Sequence, residues 1–498
     1  MENPNPLKDL KFEAARKRCR ALKAEVKKLE TKQFASPGAV VLQKFVSQAN
    51  EAILGYLEAE SGNPDLSLLA PRELELRVHR ACRFVPFLYA QLGIFIGAEI
   101  NNVPAEAVMP LRRFLRDILP GSEILLRSSA ELNYSIVEIA DDIRRLFGET
   151  PFADSTKLLP KAFFVISVPP LEANDILLHA ILAHEAGHGI DKQKMVSDKI
   201  VPKVPEKLVN AWASRLAAET EKEKGEKGKT IGLPLQEPTL RSLITESVNK
   251  TIRGWISELC SDALALITFG PAYFFGFVNF FSTISTLDGS SGSHPPPRLR
   301  IRLMCQCMRE KLGYQDDGVV EGFLKPWEDI GKEAVSPATT LEARLALEVF
   351  TPGVLSAISD SSASAVPETM RYTYMRFVQQ VNDIVPLLVE NIPAIDVLTT
   401  MPARVDGPEE KPKESSEVRS IPYSPNCPAI AQILNAGWFL RLARFDKFRA
   451  NLPKSVGEDV RASERQLHNL ILKSLELIEV KRRWDEIKEK LQERKNAP

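Results

Sequence analysis

The chain has 498 residues, too many for a single hydrophobic core, so two to four domains are expected. Its 44% hydrophobic and 26% charged residues are the proportions of a globular protein, not a disordered one. Lys+Arg and Asp+Glu balance at 65 each, which argues against nucleic acid as the main partner.

Six scattered cysteines form no CxxC pair, as expected of free thiols in a reducing compartment. The amino terminus leads into a charged segment without the apolar core of a signal peptide, and a cytoplasmic location is expected.

Residues 8 to 33 have the pattern of a charged amphipathic helix. Ala15, Cys19, Leu22, Val26 and Leu29 form a short coiled-coil seam that could pack on its own protein or on a second copy. The pattern stays helical from about 39 to 120. Beyond Pro120-Gly121, Glu123–Arg127 reads as a strand, and Ser135 with Glu138 as a capping box opening a helix to Phe147. Ala162–Val168, β-branched and aromatic, is the strongest strand signal in the chain.

Helices are expected over 205–221 and from Pro238 to Asp262, with the charged stretch Glu221–Lys229 between them as a mobile loop. From Leu264 through Leu287 there is no charged residue. As one helix this run would cover ~36 Å, enough for a bilayer. Gly270-Pro271 interrupts it, and a buried pair of helices is the favoured reading. The chain is again mostly helical from Arg309 to about 400, and Pro402–Pro425 reads as a linker. A final helix opens on a Ser463/Gln466 capping box, with Leu470, Leu477, Trp484 and Leu491 recurring every seven residues.

The chemistry centres on His184-Glu185-Ala186-Gly187-His188. Histidines four apart on a helix share one face, so both imidazoles can reach one Zn²⁺, and the intervening Glu185 can address its water. A catalytic site needs a third ligand. Lys194 stands where one class of zinc peptidase has its third histidine, which excludes that class. Asp191, on the same helix, is a poor candidate. Glu258 and Asp262 lie four apart on an apolar helix. Two buried acids are costly without a cation, so Glu258 is expected to bind the metal and Asp262 to accept the free N–H of a ligating histidine. Local surface pairing of the two acids is the alternative.

Ser293-His294-Pro295-Pro296-Pro297-Arg298 follows. His294, held before prolines, could donate to an oxyanion, as could Tyr273. Arg298 or Arg302 could orient Asp262 or hold substrate. The same run could also be a plain helix start with a solvated basic face. If His294 belongs to the site, the uncharged run must fold back on itself.

In this order the three elements resemble the gluzincin group of zinc metallopeptidases, most closely the heat-shock and prenyl-protein-processing zinc endopeptidases, over roughly residues 160 to 305. The resemblance implies one Zn²⁺ per chain on His184, His188 and Glu258, Glu185 as general base and Asp262 behind the ligands. It also implies a zincin-like core whose strand Phe163–Val168 pairs with an extended substrate. Members of that family carry clear membrane spans, whereas this chain has the one interrupted run.

The expected fold is α+β and predominantly helical. Its parts are an amphipathic helix (1–35), a helical domain (36–121), a metallopeptidase core with a small sheet (122–310), a second helical domain (311–401), the linker (402–425) and a C-terminal helical segment (426–498). The expected function is zinc-dependent hydrolysis of a protein or peptide, with no nucleic-acid partner and no membrane. The terminal helices could recruit a second copy or a partner protein. The alternative is a helical interaction protein whose zinc is structural or vestigial.

Overall fold

The structure, a computed structural model, describes residues 6–61, 71–103, 105–130, 134–170, 175–200, 202, 204, 206–227, 237–284, 286–314, 319–333, 340–390 and 429–496. The chain divides into two compact units, 1–174 and 175–498. The strands and the His184–His188 helix, expected within one core over 122–310, fall in different units. Among the described residues the fold is mostly helical with one three-stranded sheet.

Unit one contains α1 (Pro6–Leu29), α2 (Pro37–Ser61), α3 (Pro71–Cys82), α4 (Phe84–Gly97) and α5 (Ala105–Ile118), then β1 (Ser122–Ser128), β2 (Ser135–Glu138), α6 (Ala140–Phe147) and β3 (Ala162–Val168). The α1 seam does not face outward. Ala15, Cys19, Leu22 and Val26 are buried in the unit's own core, so the seam packs on its own protein.

β3 lies in the middle of the sheet, parallel to β1 and antiparallel to β2. Its backbone groups are taken on both sides, so Phe163–Val168 has no edge left for an extended substrate. Ser135–Glu138, expected to open a helix, is the strand β2, because Ile136 and Val137 pair with Ile166 and Val165. Glu138 still caps α6, its carboxylate accepting from the Ala140 N–H at 2.9 Å.

Unit two contains α7 (Leu182–Lys194), α8 (Glu206–Lys227), α9 (Glu237–Phe269), α10 (Pro271–Ile284), α11 (Pro297–Glu310), α12 (Val319–Lys332), α13 (Leu341–Val349), α14 (Pro352–Ala365) and α15 (Tyr374–Glu390), followed by Ala429–Ala443, two short helices and the long Val460–Asn496. The axis of the unit is α9, against which α7, α8, α10, α11, α13 and α14 all pack. Most of its residues from Trp255 to Ile267 are buried, as expected of a helix apolar all round.

The uncharged run is a helical hairpin. Gly270 breaks it with φ +64°, a left-handed conformation that glycine adopts freely, and Pro271 opens α10. The Asn435 amide pins the corner, donating to Phe269 O at 2.6 Å and accepting from the Ala272 N–H at 2.8 Å. No helix among the described residues is long and apolar enough to cross a membrane.

Two expectations change in this unit. The Glu221–Lys229 stretch is not a loop as far as Lys227, since α8 runs through it. Glu and Lys are good helix formers. Residues 228 and 229 lie outside the described residues, as does the 402–425 linker. The last helix begins at Val460, not at Ser463. Asp459 caps it, accepting from the Arg461 N–H at 2.8 Å, while the Ser463 hydroxyl donates to Val456 O. Cys19, Cys82, Cys260, Cys305 and Cys307 are free thiols.

Candidate metal centre

His184 lies in the first turn of α7 and His188 one turn later, their rings 4.7 Å apart and nearly perpendicular. The helix α9 brings its carboxylates to them because the two helices touch backbone to backbone. A Cβ on Gly187 would stand 2.7 Å from Ser261 O, so glycine between the histidines is what permits the approach. Glu258 then bridges the pair. Its Oε2 is 3.3 Å from His184 Nε2, and its Oε1 is 3.2 Å from His188 Nε2.

These three side chains are the group of potential metal ligands found among the described residues, their donor atoms all within 4.8 Å of one another. The two separations match the ~3.3 Å edges of a tetrahedron built on ~2.0 Å metal bonds. The histidines are also set up to ligate. Ser261 gives its hydroxyl hydrogen to Ser257 O, so at 2.9 Å from His188 Nδ1 its oxygen accepts the ring N–H. Asp262 Oδ1 accepts from His184 Nδ1 at 2.9 Å. Both Nε2 atoms are left facing the cluster, the positions from which neutral imidazoles would ligate. His188 keeps 25% of its side chain exposed, which gives the centre an open side. Glu185 is buried on α7 directly after His184.

Behind the ligands lies a closed polar core. Asp262 is fully buried and, besides His184 Nδ1, meets three donor groups. Arg300 of α11 contacts it through Nε at 2.7 Å and an Nη at 2.6 Å, and the Tyr273 hydroxyl of α10 donates to the same carboxylate. The guanidinium also sits over the rings of Phe277 and Phe281, at 4.6 and 5.1 Å, and 3.7 Å from Glu258 Oε2.

The electrostatics follow from these contacts. Burial pushes the Glu258 carboxyl up, but hydrogen bonds from His184 and His188 and the Arg300 charge outweigh it and hold the group well below the usual range. Burial acts likewise on Asp262, and Arg300 first, then His184, bring it down to about 2. Burial opposes the imidazolium of His184, yet Asp262 and Glu258 lift its pKa to about 9. Burial and the Asp262 charge keep Tyr273 a phenol, far above its ordinary value. With neutral histidines Glu258, Asp262 and Arg300 leave one net negative charge, which would suit a divalent cation.

The remaining candidates separate cleanly. His294 reaches the rim, Nε2 3.7 Å from Glu258 Oε1, its Nδ1 2.9 Å from Ser293 Oγ and its side chain 56% exposed. The hairpin therefore does return it to the carboxylate 36 residues earlier in the chain. Tyr273 is fully buried with its hydroxyl committed to Asp262, so it orients that carboxylate and does not face a substrate oxyanion. Arg298 is turned away, bound to Asp288 at 2.7 Å and Glu333 at 2.6 Å, and Arg302 is bound to Gly331 O at 2.7 Å. Neither reaches Asp262 or the ligands. Asp191 accepts from the Ser257 hydroxyl at 3.0 Å and the Ser197 N–H at 2.7 Å, a tie between α7 and α9 and not a ligand position.

Arg300 is the residue that sequence reasoning missed. A signal was present. Arg302, Gln306 and Arg309 form one solvated strip of α11, and at ~100° per residue Arg300 lies roughly 160° from Arg302, on the apolar side.

No family model matches the chain, and no curated protein or solved structure shows significant similarity to it.

Proposed function

We propose that the chain is a zinc-dependent metallopeptidase with His184, His188 and Glu258 as ligands and Glu185 as general base. The observation that carries the reading is the three-ligand cluster in which each histidine has its second nitrogen tied off and one side stays open. Three protein ligands with an open position are the pattern of catalytic zinc, and four that of structural zinc. Bound there, Zn²⁺ supplies an acidified water and polarises a carbonyl.

The chain's own residues do the rest. Glu185 takes the proton released as the peptide carbonyl is attacked and returns it to the departing amine. His294, held at the rim by Ser291 and Ser293, donates to the oxygen that becomes negative. Asp262, fixed by Arg300 and Tyr273, keeps His184 in the tautomer that ligates.

The test is Glu185→Gln. The variant should hold one zinc per chain while losing about 10²- to 10⁴-fold in cleavage of an unfolded protein substrate such as labelled casein. Equal cleavage by the variant, or a wild type that purifies without stoichiometric metal, rejects the reading.

The second reading, a helical scaffold with structural zinc, is favoured by one observation, the position of His294 within reach of a fourth ligand site. It requires His294→Ala to lose metal. The peptidase reading requires that variant to keep metal and lose rate.

A further inference from the structure

The long C-terminal helix carries two apolar strips, and among the described residues only one is packed. Along its first half, Leu467, Leu470, Ile471, Leu475 and Ile478 are buried in the unit's own core. Beyond that, Val480, Trp484, Ile487 and Leu491 are 58, 57, 48 and 52% exposed. Their spacing of four, three and four is that of coiled-coil a and d positions. At ~100° per residue the second strip is rotated by roughly 140° from the first, so it is not a frayed continuation of the core contact.

The residues beside the strip share one sign. Lys481 and Lys488 flank it on one side, Arg483 and Lys490 on the other. Glu486, Glu489 and Glu493 lie on the opposite face of the helix. In a parallel self-pair Arg483 would meet Lys488. In an antiparallel one, lysines and arginine would again meet their like, and such contacts are unfavourable in either register. A membrane-surface helix needs a broad apolar face with cations behind it, whereas this strip is one residue wide with acids at its back.

We propose that residues 480–491 are a docking seam for an acidic amphipathic helix of a partner protein, one that presents an apolar heptad strip flanked by Glu or Asp. Trp484, with the Lys488 ammonium 5.5 Å from its ring, is the central anchor. This inference does not depend on the peptidase reading.

The full chain is titrated with a synthetic heptad peptide bearing Ile and Leu at its seam and Glu at every flanking position, and with the same peptide carrying Lys there. The Glu peptide should bind, more weakly as salt rises, with a tryptophan blue shift that Trp484→Phe removes. The Lys peptide should bind at least about tenfold more weakly. Ile487→Glu, an exposed change that leaves the circular dichroism unaltered, should abolish binding. Equal binding of the two peptides, or of neither, overturns the proposal. So does a dimer of the chain alone that Ile487→Glu converts to monomer, binding to phosphatidylserine vesicles that the same variant removes, or a Trp484 emission already blue-shifted in the chain alone.

Discussion

Gly187 of α7 and Ser261 of α9 meet so closely that a single methyl group between them would lie 2.7 Å from a carbonyl oxygen. That contact sets the separation of the helix bearing both histidines from the helix bearing Glu258 and Asp262. Gly187→Ala should therefore act on two quantities together. Overpacking of this kind costs about 1–3 kcal/mol, visible as a lower melting temperature. Widening the helix pair should also weaken metal binding in a competition with a chromogenic chelator. Unchanged affinity would mean that the ligand spacing is set elsewhere.

Arg300→Met leaves Asp262 a buried carboxylate without its guanidinium partner, with only Tyr273 and His184 beside it. Breaking a buried pair from one side costs about 3–5 kcal/mol, which denaturant unfolding would read directly. Arg300→Lys should rescue little, because an ammonium cannot reproduce the two contacts of the guanidinium at 2.6 and 2.7 Å. The double variant Asp262→Leu/Arg300→Met should regain much of the stability but not the metal affinity, since nothing then holds His184 Nδ1.

Metal affinity should rise with pH. Without an ion, His184 has its pKa lifted from 6.5 to about 9, so its proton stabilises the metal-free fold fully below 6.5 and that contribution fades as pH climbs through 9. A metal must displace this proton. Between these limits binding should tighten by about tenfold per pH unit, with about one proton released per ion. Calorimetry in buffers of differing ionisation enthalpy measures the release. A pH-independent affinity would show that His184 is already neutral.

Gly270→Ala forces a side chain into a left-handed turn, at about 1–2 kcal/mol, and drives its Cβ into the Tyr372 ring. Thermal unfolding should register the loss. Because Tyr273 follows the corner at once and His294 depends on the same fold-back, metal affinity should fall as well.

What the sequence made legible is what local periodicity encodes. Spacings of four placed His184 with His188 and Glu258 with Asp262, and Gly270-Pro271 marked the hairpin. The misses have equally local causes. Ser-x-x-Glu at 135–138 satisfies a capping rule, but pairing with β3 decides the conformation there. The Glu/Lys alternation after 221 fits both a solvated loop and a helix end, and α8 takes it. Arg300 was hidden in a basic run in which Arg298 and Arg302 looked equivalent to it. Helical periodicity sets Arg300 apart from Arg302, but the packing of α11 against α9 is what brings its guanidinium to Asp262 while Arg298 turns to Asp288 and Glu333. The division at residue 174 has no strong composition signal either, since helical texture continues on both sides.

The polar core around Asp262 has a consequence for the order of events in the life of the chain. Arg300, Tyr273 and His184 satisfy that buried carboxylate from within the chain, so its pairing draws on protein groups alone. If the centre takes an ion, folding and loading are then expected to be separable: chelator-treated chain should keep its circular dichroism, in contrast to small domains that collapse only around a metal.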